Sequence, residues 1–295
     1  MKTKKITRIE EIIELINNHA SAPGFVFRGH ANNRWKLRPT LYRNIQGLKI
    51  DENGHLERFK KYLIGRSQEV QNLSDNEIWA LGQHYGLCTP LLDWSVSIAV
   101  ALFFAFESDD KNITGKYRSL FILKAEEINR QFCRTLMNEI RNRKIDIIGE
   151  IPQEGFKEEW GGKIILDIME AQRNHQFQHD GIHKVIYDLE RERPRIFSPK
   201  RYGSDRVLAQ RGVFSIARNR KSVSYQLEKL NMGSMLEKIN IASSLRVEIL
   251  KYLDAHNINY LTMYPDIQGA SLYTNYKLKK FEKNEEMPDN TKLWL

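Results

Sequence analysis

Residues 97–106 read Ser-Ile-Ala-Val-Ala-Leu-Phe-Phe-Ala-Phe, a helix-forming run with no polar face. A helix that is apolar on every side belongs inside a protein large enough to surround it, or in a membrane. The run is too short for a membrane, which needs about 20 apolar residues, and no longer apolar stretch occurs in the chain. The chain must therefore wrap a core around this segment. Its 295 residues, 41% hydrophobic and 28% charged, are sufficient for that. Met1-Lys2-Thr3-Lys4-Lys5 is basic, but Ile6-Thr7-Arg8-Ile9-Glu10 follows where a signal peptide would have an apolar core. Cys88 and Cys133 are too few for a disulfide framework or a metal cluster. These features imply a cytoplasmic, metal-free protein that makes no membrane contact.

Thr7-Arg8-Ile9-Glu10 has the form of a capping box, with Ile9, Ile12, Ile13 and Ile16 at helical spacing behind it. Phe25 to Gly29 reads as a strand, and residues 55–70 as a helix with Leu56, Phe59 and Leu63 on one face. Ser74-Asp75-Asn76-Glu77 is a second capping box, and its helix runs towards Gly86. Gln83 to Trp94 reads as a polar turn before the apolar helix. Residues 119–123 form a strand and 126–141 a helix, while 142–192 read as an insertion or cap of mixed structure. Strands are expected at 212–216 and 237–241, a serine-capped helix at 244–255 and a short extended run at 258–263. Pro265 is placed to open a last helix at its first position. Strands and helices intermix without regular alternation, which predicts one α+β domain over residues 1–295.

Several polar residues stand at the edges of these apolar elements. Arg28 ends a strand beside Gly29, where a planar fork can grip a phosphate or carboxylate, or pair with Asp93 as a structural ion pair. Gln83, His84, Tyr85, Thr89 and Asp93 lie close together in sequence. An imidazole, a phenol and a carboxylate so grouped can orient a sugar or polarise a leaving group, although a single histidine more often has a structural role. Asp93 lies between Leu92 and Trp94, and a carboxylate in apolar surroundings needs a partner. Ala209-Gln210-Arg211-Gly212-Val213-Phe214 sets a polar pair directly before a strand. Met263-Tyr264-Pro265-Asp266-Ile267-Gln268-Gly269 also reads as a plain helix start. His179 and His183 have metal-binding spacing, but Gly181 between them and the lack of a Glu partner argue against a metal. The net charge of +9 suits a polyanionic partner, or reflects lysines spread over the surface. No P-loop, GxSxG or GxGxxG motif is present.

Taken in order, these elements resemble the FRG-domain family of bacterial and phage-associated proteins. Phe27-Arg28-Gly29 stands where that family has its naming motif. Gln83 to Ser95 followed by Ala101 to Ala105 resembles its longer second motif, Gln210-Arg211-Gly212-Val213-Phe214 its Q-x-G-x-F, and Tyr264 to Gly269 its F-P-D-L-x-G. Pro90 replaces the usual arginine of the second motif, and Gln268 stands where an acidic residue is common. The pattern in turn looks like the ADP-ribosyltransferase fold, a mixed sheet with surrounding helices. That resemblance implies NAD as co-substrate, with Arg28 holding its phosphates or ribose and Gly29 meeting the nicotinamide through its backbone. It implies a cofactor-contacting set of Phe27, Arg28, Gly29, His84, Tyr85 and Thr89, with Phe103 and Phe104 as alternative partners for the nicotinamide ring. Gln210 falls on the acceptor-recognition loop. A carboxylate should stabilise the ribosyl cation, Asp93 being the first candidate and Asp266 the second. Arg28, Asp93 and Gln210 thus form the expected catalytic set. The resemblance further implies a toxin of toxin–antitoxin or anti-phage defence that modifies nucleic acid, RNA ahead of DNA or protein, and is held off by an antitoxin or chaperone. Two alternatives stay open: a non-catalytic nucleotide- or nucleic-acid-binding module, and an NAD glycohydrolase.

Overall fold

Residues 98–106 form a buried helix, entered through Ser97, whose hydroxyl accepts the Val100 N–H at 3.4 Å. The structure is a computed structural model that describes residues 2–20, 23–43, 50–64, 73–108, 115–143, 180–198, 205–218 and 220–281. Of residues 180–183 and 279–281, only the backbone is described. In chain order the strands are β1 (Lys2–Ile6), β2 (Phe25–His30), β3 (Leu91–Ser95), β4 (Tyr117–Lys124), β5 (Arg195–Phe197), β6 (Gly212–Ile216) and β7 (Leu236–Ala242). The helices are α1 (Ile9–His19), α2 (Glu52–Leu63), α3 (Asp75–His84), α4 (Ile98–Phe106), α5 (Ala125–Asn142) and α6 (Asp180–Glu192). They continue as α7 (Asp205–Ala209), α8 (Val223–Lys229), α9 (Arg246–Ala255), α10 (Tyr260–Met263) and α11 (Ile267–Phe281).

The strands form one mixed sheet in the order β1-β7-β4-β2-β3-β6-β5, parallel between β1 and β7 and antiparallel elsewhere. With helices on both faces, this is an α+β arrangement. Alternation along the strands sorts side chains between those faces. Phe27, Leu120, Ile122, Ile239 and Ile241 pack with α1, α4 and α9 on one face, and Leu91, Phe214 and Ile216 pack there with α2 and α3. Val26, Leu92, Trp94, Phe121 and Leu236 occupy the other face with α5 and α8.

The pairing weakens at one point. β2 aligns with β4 along six residues, and β3 with β6 along five, but β2 and β3 share a single aligned pair, Phe27 with Ser95. Beyond that pair the two strands part. The split lies between the helices over β2 and those over β3, so a cleft opens where the sheet is least continuous.

Several sequence expectations are corrected. Residues 91–95 form a strand instead of the end of a polar turn, with Leu91, Leu92, Trp94 and Ser95 buried and Asp93 outward. The first helix is entered at Arg8 and not Thr7, and no side chain caps it; the Glu11 carboxylate takes the Thr7 N–H at 3.4 Å instead. α2 starts earlier than expected because Asp51 caps it by accepting the Gly54 N–H at 2.9 Å. Residues 243–245 form a 3-10 turn before α9, which begins at Arg246 without a serine cap. Residues 260–263 are helical, since the Asn259 side chain takes the Leu261 and Thr262 N–H groups. Pro265 precedes α11, and the Asp266 carboxylate receives the Gly269 N–H at 3.1 Å. β1, β5 and α8 were not anticipated. Most of the expected insertion, with His179, lies outside the described residues, whereas 180–192 is helical. Among the described residues no helix is long and apolar enough to cross a membrane, and no cluster of His, Cys, Asp and Glu could hold a metal ion.

Candidate functional site

A cavity of about 400 Å³ sits at the β2–β3 split. Phe27, Gly29, Asp93 and Ser95 contribute from the sheet, Gln83 and His84 from the end of α3, and Phe104 and Glu107 from α4 and its cap. Arg206 and Val207 of α7, Gln210 and Tyr264 complete the wall. α4 lies directly on β2. A methyl group at Gly29 would come within 2.6 Å of the Ala105 nitrogen and would also strike the Ala101 carbonyl. Glycine is thus demanded here by helix-to-strand contact.

Arg28 bridges the split. Alternation assigns it to the face of Val26 and His30, and its Nε donates to His30 Nε2 at 3.0 Å. Its Nη1 reaches across to the Asp93 backbone carbonyl, which faces the gap where a continuous ladder would have placed Gly29 opposite Asp93. The guanidinium replaces the missing ladder bond. Nη1 also stands 3.4 Å from Asp93 Oδ2. Among the described residues Nη2 makes no hydrogen bond, so one edge of the fork stays uncommitted. His30 has to be neutral to accept from a cation. Burial, followed by the charges of Arg28 and Arg43, pushes its pKa down to about 2.

The Asp93 carboxylate is held from its other side. Gln83 Nε2 donates to Asp93 Oδ1 at 2.6 Å, while the Thr89 hydroxyl donates to Gln83 Oε1. Those two bonds fix which way round the Gln83 amide lies. Thr89 is fully buried, and its N–H donates to Thr40 Oγ1 at 3.0 Å. Arg43 stands nearby; burial and then the Arg28 guanidinium lower its pKa. Burial and then Arg206 hold the His84 imidazole below its ordinary range, which favours the neutral form. The crowded arginines make this wall electropositive, suited to anionic oxygens.

The opposite wall is built around the end of α4. Arg118 donates to the carbonyls of Ala105 and Ser108 at 2.7 and 3.0 Å, and Arg246 to those of Phe106 and Glu107, both at 2.9 Å. Tyr260 OH also donates to the Glu107 carbonyl. These bonds satisfy the carbonyls a helix leaves open at its C-terminus and fix Glu107 in place. Its carboxylate accepts from Tyr264 OH at 2.7 Å, and the Arg206 guanidinium lies 4.9 Å from the Tyr264 ring centre. Burial raises the Glu107 pKa to about 7, against the opposing effect of the Tyr264 hydrogen bond.

Residues 23–113 match the family model of the FRG domain. The matched segment supplies β2, α3, β3 and α4, and with them Arg28, Gln83, His84 and Asp93. Neither the curated proteins nor the solved structures include a match to the chain.

Of the residues expected from the sequence, Phe27, Arg28, Gly29, His84, Asp93 and Gln210 line one cavity, from inside and outside the FRG segment alike. Gln210 Nε2 donates to the Met263 carbonyl at 3.0 Å, and Ser95 Oγ donates to the Gln210 carbonyl at 2.8 Å, tying this loop to β3 and α10. Thr89 does not face the cavity; it sits behind Gln83 and orients it. Tyr85 is 76% exposed and outside the lining, its ring edge-on to His84. Asp266 is not part of the wall but pairs with Arg206 at 2.9 Å. Phe104 lines the cavity while Phe103 is core. Sequence reasoning missed Glu107, Arg206 and Tyr264 as a working group. An acid directly after an apolar run was the available signal for Glu107.

Proposed function

We propose that the cavity binds NAD and that the protein transfers ADP-ribose from it to a nucleic-acid acceptor, RNA in the first place. The observation that carries this reading is convergence. Motifs from Phe27 to Tyr264 supply one wall-to-wall cavity, with Arg28 held across a gap in the sheet and one edge of its fork uncommitted. The residues fit the co-substrate chemically. Arg28, with Arg43 and Arg206 nearby, suits a pyrophosphate, since guanidinium groups bind such oxygens in bidentate fashion. Phe104 and Phe27 offer apolar surface for a flat ring.

When bound, NAD supplies an ADP-ribosyl group with nicotinamide as leaving group. In this reading Asp93 faces the positive charge that develops on the ribosyl carbon, oriented by Gln83 and Arg28. Gln210, on the loop before β6, meets the acceptor. The +9 charge favours a polyanionic acceptor. The likeness of the motifs to FRG proteins of toxin–antitoxin and phage-defence systems makes a growth-arresting toxin with an inhibitory partner the natural setting.

One observation favours a second reading. Arg28 Nη1 stands 3.4 Å from Asp93 Oδ2, an ion pair that a nucleotide-binding module performing no chemistry would equally contain. Incubation with NAD labelled in its ADP-ribose half, together with RNA, DNA or lysate protein, separates the two. Transfer predicts released nicotinamide and labelled RNA, reduced roughly 100-fold or more in Arg28→Ala. NAD binding without nicotinamide release selects the binding module. Release without labelled macromolecule indicates a hydrolase, and full activity in Arg28→Ala would move the site elsewhere.

A further inference from the structure

We infer that Glu107 is the proton acceptor for the attacking group, and that the acceptor therefore presents a neutral O–H or N–H nucleophile. This rests on the ADP-ribosyl reading of the cavity and assigns a role to a residue outside the motif positions that suggested that reading.

The argument starts from placement. Glu107 lies where α4 ends, and its backbone is fixed by Arg246 and Tyr260, while Arg118 secures the carbonyls on either side. A side chain whose own backbone is pinned in this way loses little freedom when it has to meet a substrate. Its carboxylate lines the same cavity as Arg28 and Asp93, but from the α4 wall. The two acids have different environments. Asp93 is 61% exposed in its side chain and is held by a guanidinium and an amide. Glu107 is partly buried, and its carboxylate accepts a hydrogen bond from Tyr264. Asp93 is gripped from two sides by Arg28 and Gln83, whereas Glu107 is in surroundings that favour accepting a proton.

The charged and titratable groups that face Glu107 are Tyr264 and Tyr260 from α10 and its end, Arg246 from α9, Arg118 from β4 and Arg206 from α7. Arg118 and Arg246 donate to the backbone carbonyls around the end of α4. Arg206 is directed to Asp266 and Gln268, at 2.9 and 2.5 Å. Burial holds the carboxyl near 7 against the Tyr264 hydrogen bond, in the range where a general base works best. In the step, Glu107 takes the proton of the acceptor group while the acceptor's O or N forms the bond to the ribosyl carbon. The carbon–nitrogen bond to nicotinamide breaks, and its electron pair leaves with the nicotinamide. Tyr264 is a positioning residue that orients the carboxylate.

Glu107→Gln tests this, because the amide oxygen still accepts from Tyr264. The variant should keep NAD binding and lose transfer by about 100-fold or more. The wild-type rate should rise with pH on a limb near 7, and Tyr264→Phe should move that limb upwards by removing the bond that favours the carboxylate. Two readouts do not depend on turnover. Carbon-13 NMR of labelled glutamate should show one carboxyl titrating near 7 that vanishes in Glu107→Gln. The unfolded carboxyl titrates near 4.5 and the folded one near 7, so the folded state binds the extra proton between them and stability falls as pH rises through that window. Glu107→Gln should therefore melt higher than wild type at pH 8 and lose that advantage at pH 5. Full transfer activity and an unchanged pH profile in Glu107→Gln would overturn the assignment and leave the ADP-ribosyl reading intact, as would the absence of a carboxyl titrating near 7. Wild-type protein that binds NAD but releases no nicotinamide would overturn the reading and the assignment together.

Discussion

A methyl group added at Gly29 would sit 2.6 Å from the Ala105 nitrogen and 2.9 Å from its Cβ, inside the contact between β2 and α4. Backbone cannot move aside as a flexible side chain can, so the strand and helix would have to separate. Gly29→Ala should destabilise the protein by about 1–3 kcal/mol or more, read as a lower urea midpoint at unchanged slope. Widening the split beside Arg28 should weaken ligand binding in the same variant. The sequence pointed to Arg28 and Asp93 as either a ligand site or an ion pair. The structure contains the pair and also leaves one edge of the guanidinium uncommitted, a combination residue types alone do not distinguish.

α3 delivers Gln83 and His84 to the cavity from its last turn, so its first turn matters to the site. Ser74 caps it in the expected box: the Glu77 carboxylate accepts the Ser74 N–H at 2.9 Å and its hydroxyl at 2.7 Å. Ser74→Ala should cost about 1 kcal/mol, measurable by chemical denaturation, with earlier fraying of α3 in hydrogen exchange. Elements with strong local signals, such as α4, β2, β7 and the α3 cap, were legible in the sequence. β3 was not, because Leu-Leu-Asp-Trp-Ser is buried on both faces except at Asp93 and shows no alternation. β1 was hidden for the opposite reason: Lys2, Thr3, Lys4 and Lys5 are exposed, and only Ile6 reaches the core. Residues 258–263 have strand-like composition, yet Asn259 turns them into helix by capping. The FRG-like motifs made the Arg28 wall of the cavity readable. The Glu107 wall depends on long-range contacts with Tyr260, Tyr264 and Arg246, which no local pattern encodes.

Across the whole molecule, a buried ion cluster joins distant parts of the chain. Glu190 of α6 receives bonds from Arg195 of β5 and from Arg218, which also binds Glu52 of α2 at 3.1 Å. Burial disfavours the Glu190 charge, but the two arginines outweigh it and hold the carboxyl below its usual range. Glu190→Gln would remove the carboxylate that pairs with buried Arg195 and leave Arg218 with Glu52, and should cost roughly 3–5 kcal/mol, seen as a large drop in melting temperature. The order of the sheet has a further consequence for where this protein can be cut. The FRG match ends at residue 113, and among the described residues its strands are β2 and β3, which stand side by side in the middle of the sheet. Their outer neighbours, β4 and β6, both come later in the chain. A fragment trimmed to the match would keep two barely joined strands and bare a hydrogen-bonding edge on each, open to pairing with other chains. The family signature therefore marks the centre of the sheet, and its limits are not those of a unit that folds alone.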